Sequence, residues 1–467
     1  MKIIFIGYGI LGDFIVCLKS IERLRENFPD AHITYVGNKT FAQLGLDGYH
    51  INEVLERTDE FNQYYQKSGY QSDFWDKVFE KSNLVVNHLM DLEGIFVKNM
   101  QERGFVHQTE FVSIDKINKV KILLHGDVKD ENATAYEQVG ELLKNIRIFH
   151  CDTPPNLIIP EAIQEEVNKE FDKIPQGSKI WAFHPGASSR EKCMGLPRWV
   201  DVINAIIERD DFIIILPGPE EVDMIEQIKH LFKNNNFIII HNKGLLFEAG
   251  VVRNCHYFLG HDTGFAHIAG ALKVPSFLVF GPHSSARVWK PPYHNTKSFS
   301  LPDIALANEN EIIYATLDWL NSVKEKKLAE ELLVCFLKDE EKAIRLIHEN
   351  PGHNYTFCYF LSWVNNVEDI DVEYIYEEPE VYLNRKKYKT APNVNSYPDG
   401  RFKVDLLFLA VYVGSEKLVS LLLEKKLPYI FYIRGFKRCG EHHFFYISEY
   451  NNIKDSILAK LKHYFKK

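Results

Sequence analysis

The chain has 467 residues, of which 45% are hydrophobic and 25% charged, and its formal net charge is −9. This composition is typical of a globular protein of two or three domains, and the acidic balance argues against a large basic surface for nucleic acid. The seven cysteines are scattered without a C-x-x-C pair, which predicts reduced thiols rather than disulfides or a zinc site. Because no apolar run reaches about 18 residues and the apolar start is only one strand long, we expect a cytoplasmic protein with at most peripheral membrane contact.

Alternating strands and helices are predicted for the first 160 residues. Lys2–Ile6 is a short buried strand, and Phe14–Phe28 is a helix whose apolar residues share one face. Further strands are predicted at His32–Gly37, Ser82–Leu89 and Lys119–Leu124, and a further helix at Thr134–Ile146. The alternation predicts a parallel sheet in a first domain, residues 1–160, that ends in a Pro-rich connection.

The same alternation begins again in a second predicted domain, residues 161–328. Its strands are predicted within Lys179–Ser189, Phe212–Pro219, Asn236–Gly244, His256–Gly264 and Ser276–Pro282, with helices at Pro197–Glu208, at Glu221–Phe232 and after Gly264. Two doubly wound domains in tandem would leave a cleft between the carboxyl ends of their strands.

Residues 329–467 form a third, smaller α/β region in this prediction. A helix is predicted over Leu328–Glu349, and a strand–helix–strand pattern within Val404–Phe436 suggests a small Rossmann-like fold. Its sequence shows neither a nucleophile motif nor a metal-ligand cluster, so its role is unassigned; acceptor recognition and oligomerisation are the hypotheses.

A Gly-rich turn follows the first strand. Gly7, Gly9 and Gly12 match G-x-G-x-x-G, the pattern of dinucleotide-binding domains. The second strand ends without the carboxylate that such domains use to hold ribose, which argues against a nicotinamide-dependent enzyme. Asp13 stands at the start of the next helix, where it is either a helix cap or an ionised general base.

A second conspicuous segment runs from Gly260 to Pro282. Asp262 and Thr263 are strong N-cap residue types, and Gly264 permits close approach of a ligand to the backbone. The free N–H groups of the following helix predict an anion site, most often one for phosphate. The alternative is an ordinary capped helix without a ligand.

Three sequence blocks together resemble the bacterial lipopolysaccharide heptosyltransferases, glycosyltransferase family 9, over about residues 1–325. The first block contains Leu11-Gly12-Asp13 and Pro29-Asp30-Ala31, and the second contains His184-Pro185-Gly186-Ala187-Ser188 followed by Lys192. The third block contains Asp262, Thr263, Gly264, His267, Ala271, Leu272, Pro275, Gly281 and Pro282. Their order and spacing make the resemblance specific.

The resemblance implies a GT-B fold, in which two tandem Rossmann-like domains face a cleft. The first domain would bind the acceptor and the second a nucleotide-sugar donor, possibly ADP-linked, with no further cofactor. The implied reaction is inverting, metal-independent transfer of a heptose or another sugar to a hydroxyl of a cell-surface glycan such as the lipopolysaccharide core. Contact with the inner membrane would be peripheral, and no nucleic-acid partner is implied.

The resemblance also assigns roles to individual residues. Asp13 resembles the catalytic base. The donor phosphates and sugar would be held by Ser188, Lys192, Asp262, Thr263, Gly264 and His267, with His267 alternatively a packed core histidine. Glu221 resembles the acid that holds the ribose, or is a solvated first-turn glutamate. Gly12, Arg57 and Arg103 are acceptor-side candidates.

The chain departs from the family at one block near the donor. Where the family often has K-x-W-P, this sequence has Lys192-Cys193-Met194-Gly195. A different sugar or base would explain the change, and so would loss of catalysis. The alternative function is therefore a GT-B-like nucleotide-binding or scaffold protein without transferase activity.

Overall fold

Two parallel six-stranded sheets dominate the protein, as seen in a computed structural model. The structure describes residues 1–46, 50–111, 117, 119–126, 133–149, 153–187, 189–233, 236–293, 295–303 and 308–350, and the segments 358–362, 372–374, 401–405, 416–424, 432–438 and 441–446. The chain divides into two units, Met1–Trp319 and Leu320–Lys467. Both large sheets belong to the first unit.

The first sheet has the strand order β3-β2-β1-β4-β6-β5, with every neighbouring pair parallel. Its strands are β1 Lys2–Ile6, β2 His32–Gly37, β3 Glu53–Glu56, β4 Leu84–Asn87, β5 Phe105–His107 and β6 Lys121–His125. The central strands are apolar and buried on both faces, as expected for a parallel sheet covered by helices. The strand order reverses between β1 and β4, which creates a crevice at their carboxyl ends.

Helices cover both faces of this sheet. They are α1 Leu11–Asn27, α2 Lys39–Leu46, α3 Asp59–Gln66, α4 Asp73–Glu80, α5 Ile95–Glu102 and α6 Ala135–Lys144. Thr58, Ser72 and Thr134 start α3, α4 and α6 by accepting backbone N–H bonds at the N-cap. Helix α1 begins earlier than the sequence predicts, so Gly12 and Asp13 lie inside its first turn.

The second sheet has the strand order β12-β11-β10-β7-β8-β9 and is also parallel. Its strands are β7 Ile180–His184, β8 Phe212–Ile215, β9 Phe237–Ile239, β10 Tyr257–His261, β11 Ser276–Phe280 and β12 Thr296–Ser300. Its helices are α7 Glu161–Phe171, α8 Leu196–Ile206, α9 Ile225–Leu231, α10 Leu245–Asn254, α11 Gly264–Ala271 and α12 Ala286–Trp289. The predicted pair of tandem Rossmann-like folds is confirmed.

Some predicted elements differ in detail. The helix predicted at Glu221–Phe232 is a 3₁₀ helix over Pro219–Met224 followed by α9. Strands β3, β5 and β12 have no counterpart in the prediction. They lie at or near the sheet edges, where short, partly polar strands give weak sequence signals.

The two sheets share one hydrophobic core, because α1 packs directly against α11. At this crossing a Cβ atom on Gly264 would overlap the side chain of Leu11, and one on Gly12 would lie 3.1 Å from Cδ2 of His267. Both glycines therefore allow close approach of the two helices. The crossing brings the first turns of α1 and α11 together.

The C-terminal region was predicted incorrectly in two respects. The expected helix Leu328–Glu349 is instead α13, Glu309–Lys338, and α14, Glu340–Glu349, separated at Asp339, which caps α14 through Lys342 N–H. The described strands here are antiparallel, which contradicts a small Rossmann-like fold. They are β13 Cys358–Ser362, β14 Val372–Tyr374, β15 Arg401–Asp405, β16 Tyr432–Arg438 and β17 Glu441–Tyr446, and the described helix is α15 Glu416–Glu424.

None of the helices in the described ranges is both long enough and apolar enough to cross a membrane.

Candidate functional site

Asp13 lies in the first turn of α1, and two residues of the second sheet domain act on its charge. Partial burial raises the pKa of Asp13, and the negative charge of Asp262 raises it further. A hydrogen bond from the Ile10 backbone and the positive charge of Lys192 lower it. The structure therefore brings Asp13, Asp262 and Lys192 within electrostatic reach of one another, although they are far apart in sequence.

The D-T-G segment begins α11 without a side-chain cap. Thr263 occupies the N-cap position with φ −145°, yet its side chain makes no cap bond. Its Oγ1 is buried and has no hydrogen-bond partner among the described residues. Asp262 accepts a hydrogen bond from the Ser284 hydroxyl, so this carboxylate is oriented by the loop after β11. The Thr263 hydroxyl and the first N–H groups of α11 remain as donors for an anion.

Glu221 is packed against the H-P-G loop. It is 7% exposed, which excludes the solvated first-turn alternative. Its Oε2 accepts a hydrogen bond from Gly218 N–H at 2.8 Å, and a Cβ on Gly186 would overlap its carboxylate. A side chain at position 186 would have to displace this buried carboxylate, so Gly186 of the H-P-G motif leaves room for Glu221. The ribose contact remains a prediction.

His261, which the sequence analysis did not identify, connects the loops of the second domain. Its Nε2 accepts the backbone N–H of Met194 at 2.8 Å and the indole N–H of Trp199 at 3.1 Å. Its Nδ1 lies 3.3 Å from the carbonyl oxygen of Gly186. Burial lowers the pKa of His261 to about 3, so the ring is neutral and Nε2 is free to accept. The only sequence signal was a polar residue ending an apolar strand.

His267 is a buried histidine of the α1–α11 crossing. It is 2% exposed, and the Tyr136 hydroxyl lies 2.9 Å from its Nδ1. Burial lowers its pKa. These contacts support the packed-histidine alternative, and contact with the donor stays a prediction. No sequence pattern could have found Tyr136, because it lies 131 positions before His267.

The first glycine of the G-x-G-x-x-G turn, Gly7, has a packing explanation, which it shares with Gly37 at the end of β2. A Cβ on Gly7 would lie 2.6 Å from the Tyr35 hydroxyl oxygen, and one on Gly37 would lie 2.5 Å from the same ring. Tyr35 is 1% exposed. These two glycines therefore make room for a buried tyrosine, and their presence requires no dinucleotide.

The remaining candidate site residues differ in their surroundings. Arg103 binds Asp76 and the backbone oxygens of Asn99 and Tyr70, so it has structural partners, and its acceptor-side role stays a prediction. Arg57 is exposed after β3. Lys192 is partly buried and forms no ion pair within the described part of the chain. Ser188 lies outside the described residues, so its predicted role is not tested.

In the described ranges no group of three histidine, cysteine or acidic side chains is arranged to hold a metal ion.

The comparisons with known proteins agree with this architecture. Residues 141–311 match the sequence model of glycosyltransferase family 9 (heptosyltransferase). Lipopolysaccharide heptosyltransferase 3 of Escherichia coli is 22% identical over 304 residues, which cover 62% of this chain and 85% of that protein.

Two solved structures show the same fold. A glycosyltransferase family 9 protein from Veillonella parvula superposes with a TM-score of 0.54 at 14% identity, covering 69% of this chain and 97% of that one. The ADP-heptose lipopolysaccharide heptosyltransferase II of E. coli gives 0.53 at 13% identity, covering 69% and 100%. Residues 141–311 of this chain are therefore similar in sequence to glycosyltransferase family 9, and its two parallel sheets have the GT-B fold of these solved structures.

Proposed function

We propose that this protein transfers a sugar, with inversion and without a metal ion, from a nucleoside-diphosphate donor to a hydroxyl of a bacterial cell-surface glycan. The observation that carries the proposal is the convergence of Asp13, Asp262 and Lys192 where the first turns of α1 and α11 meet. Asp13 belongs to the proposed acceptor domain, and Lys192 and the N-terminus of α11 belong to the proposed donor domain. That is the charge arrangement that displacement of a diphosphate requires.

The proposed reaction is a single displacement. Asp13 takes the proton of the acceptor hydroxyl as its oxygen attacks the anomeric carbon. The bond from that carbon to the diphosphate oxygen breaks, and the electron pair leaves with the diphosphate. Lys192 and the N–H groups of Thr263 and Gly264 stabilise the leaving charge, which is why no metal ion is needed in this scheme.

The donor is proposed to be ADP-linked and the acceptor to be a lipopolysaccharide core or a related glycan. The similarity to heptosyltransferases, one of them named for ADP-heptose, supports this choice. The first domain would bind the acceptor and the second, with Glu221 at its H-P-G loop, would bind the nucleotide. Peripheral contact with the inner membrane follows from a glycolipid acceptor.

Asp13→Asn tests the role of the base. A general base typically contributes about 10²–10⁴ in rate, so we expect kcat to fall by that factor. The melting temperature and its increase with ADP should stay as in the wild type, because the amide preserves the shape of Asp13 and ADP binds in the other domain.

The control is a thermal-shift series with ADP, GDP and UDP on the wild-type protein. Stabilisation by one nucleotide identifies the donor base. Full transfer activity in Asp13→Asn would remove Asp13 as the base. The absence of any stabilisation by nucleotides would favour a scaffold protein over a transferase.

A further inference from the structure

Tyr136 and His267 form a buried hydrogen bond between the two sheet domains, and the proposed mechanism does not use it. Tyr136 lies in the first turn of α6, in the first domain, and His267 lies near the start of α11, in the second. The hydroxyl oxygen of Tyr136 lies 2.9 Å from Nδ1 of His267, and both side chains are buried. Because water does not compete at a buried pair, this hydrogen bond joins the domains in one defined geometry.

Each end of this hydrogen bond is attached to an ordered helix start. The Thr134 hydroxyl accepts the Glu137 N–H at 3.2 Å, and the Glu137 carboxylate accepts the Thr134 N–H at 2.8 Å. This reciprocal cap fixes the turn that carries Tyr136. At the other end, the His267 N–H donates to the Thr263 carbonyl oxygen at 3.4 Å, so the ring projects from the same first turn whose N–H groups form the proposed phosphate site.

The ring of His267 fills the space between α11 and α1. A Cβ atom on Gly12 would lie 3.1 Å from Cδ2 of the ring and 3.5 Å from Nε2. The Trp289 ring meets the His267 ring edge-on, with the ring centres 6.4 Å apart. Gly12 directly precedes Asp13, so the position of this ring determines how closely the turn of α1 that bears Asp13 approaches α11.

The hydrogen bond also fixes which edge of the ring faces α1. Burial lowers the pKa of His267, against the opposing charge of Asp262, so the ring is neutral near pH 7. When the Tyr136 hydroxyl donates to Nδ1, the single ring proton is on Nε2. If the ring were turned over, Cδ2 would replace Nδ1 and the hydroxyl would lose this partner in a buried site, which is unfavourable. The hydroxyl of Tyr136 therefore selects one of the two ring orientations.

We propose that Tyr136 and His267 are positioning residues that hold Asp13 in line with the phosphate-binding end of α11. Their role rests on the proposed function, because it concerns the step in which Asp13 takes a proton while the diphosphate leaves. Neither residue contacts substrate in this account, which replaces the donor contact implied for His267 by the family resemblance. Removing the hydrogen bond should therefore slow the chemical step and leave ADP binding intact.

The test compares two buried tyrosines that each lose only a hydroxyl group. Tyr136→Phe removes the hydrogen bond to His267 and keeps the aromatic ring. Tyr64→Phe is the matched control, since Tyr64 is also buried and its hydroxyl donates to Asp76 within the first domain. Transfer kinetics and ADP affinity are measured below the melting temperature of every variant. His267→Leu and its combination with Tyr136→Phe complete the set.

In Tyr136→Phe, kcat should fall about 10–100-fold, because a displacement of the reacting groups by about 1 Å can cost that much in rate. The Kd for ADP should stay within about twofold of the wild type, as should kcat in Tyr64→Phe. In the His267→Leu background, Tyr136→Phe should lower kcat no further, because the hydroxyl acts only through His267.

Nitrogen-15 NMR of labelled histidine reads the hydrogen bond itself and requires no transfer. The His267 signals are assigned by their absence in His267→Leu. In the wild type, Nδ1 should be unprotonated and Nε2 protonated, since the two nitrogen types have well-separated shifts. In Tyr136→Phe the Nδ1 signal should move, and addition of ADP to the wild type should leave both signals unchanged.

Four outcomes would overturn the proposal: wild-type kcat in Tyr136→Phe, an equal loss of kcat in Tyr64→Phe, a protonated Nδ1 in the wild type, or weaker ADP binding in Tyr136→Phe. The last result would mean that His267 contacts the donor. An intact Nδ1 hydrogen bond in a protein without transfer activity would uphold the link between the domains and refute the proposed transferase function. Transfer that is lost in Asp13→Asn but unaffected by Tyr136→Phe would uphold that function and refute the positioning role.

Discussion

Asp13 has a proton affinity that is set by its neighbours. Partial burial and the charge of Asp262 both raise its pKa, while Lys192 opposes them. A carboxylate with a raised pKa is a stronger base than an ordinary surface aspartate, yet it must be ionised to accept a proton. In the proposed mechanism the rate therefore decreases as the pH falls through the pKa of Asp13.

Asp262→Asn should move the acidic limb of the pH–rate profile to lower pH. The substitution removes a negative charge that raises the pKa of Asp13, so Asp13 stays ionised in more acidic solution. The measurement is kcat/KM against pH, normalised to the plateau because Asp262 is also a proposed donor contact.

Asp210→Asn is the matched control, since Asp210 is exposed in the turn before β8. Asp210→Asn should leave the acidic limb of the pH–rate profile at the same pH as in the wild type. A limb that does not move in Asp262→Asn, or that moves to higher pH, would contradict the expected effect of Asp262 on Asp13, the proposed base.

At the scale of elements, the buried ring of His261 joins several segments of the second domain through its hydrogen bonds. It joins the end of β10 to the H-P-G loop, to the Cys193–Gly195 loop and to α8. Gly186 lies in the first of these loops, and Lys192 directly precedes the second. The departure from K-x-W-P is therefore compatible with an ordered donor site, because His261 holds the backbone of Met194 in place.

His261→Leu should lower the free energy of unfolding by about 2–4 kcal/mol, since it leaves the Met194 and Trp199 N–H groups buried without a partner. It should also abolish most of the ADP-induced stabilisation, because the loops around the donor lose their anchor. Chemical denaturation and thermal shift measure the two effects separately.

The comparison for that variant is His50→Leu. His50 is also buried, and its Nε2 lies 2.9 Å from the carbonyl oxygen of Asn156, which is not part of the loops that His261 joins. It should lose stability and keep the ADP effect. Equal loss of the ADP effect in both variants would mean that His261 acts only through general stability.

The structural features that were predicted correctly from the sequence are those that depend on residues close together in the chain. The central strands and the three motif blocks are local patterns, and the structure places Asp13, Lys192 and Asp262 together as parallel sheets require. The pairings of His261 with Trp199 and of His267 with Tyr136 join distant segments, for which a single sequence holds no signal. The antiparallel C-terminal strands were mistaken for parallel ones because strand–helix–strand order alone does not fix pairing.

At the scale of the whole molecule, the two sheet domains share a core, and the crossing of α1 and α11 is the most extensive contact between their described helices. The contacts are reciprocal, since Gly264 of α11 accommodates Leu11 of α1, and Gly12 of α1 accommodates His267 of α11. The glycines of the L-G-D and D-T-G motifs therefore serve domain packing in addition to any ligand. This crossing also sets the distance between the proposed base and the proposed phosphate site.

Gly264→Ala tests this account of the crossing. The added methyl group would overlap the Leu11 side chain, so the free energy of unfolding should fall by about 1–3 kcal/mol, the usual cost of overpacking. Leu11→Ala removes two of the overlapping atoms, Cγ and Cδ2, and keeps Cβ, so it relieves part of the overlap. The double variant should therefore be more stable than the sum of the two single losses predicts, with a coupling energy of about 0.5–3 kcal/mol.

Denaturant unfolding of the wild type, both single variants and the double variant measures this coupling. Gly250→Ala with Leu11→Ala is the comparison, because Gly250 of α10 contacts Val167 and Ile159 rather than Leu11. That pair should be additive within about 0.5 kcal/mol. Additive losses for Gly264 and Leu11 as well would mean that the two helices do not approach each other in this way, and the proposed alignment of base and phosphate site would lose its structural basis.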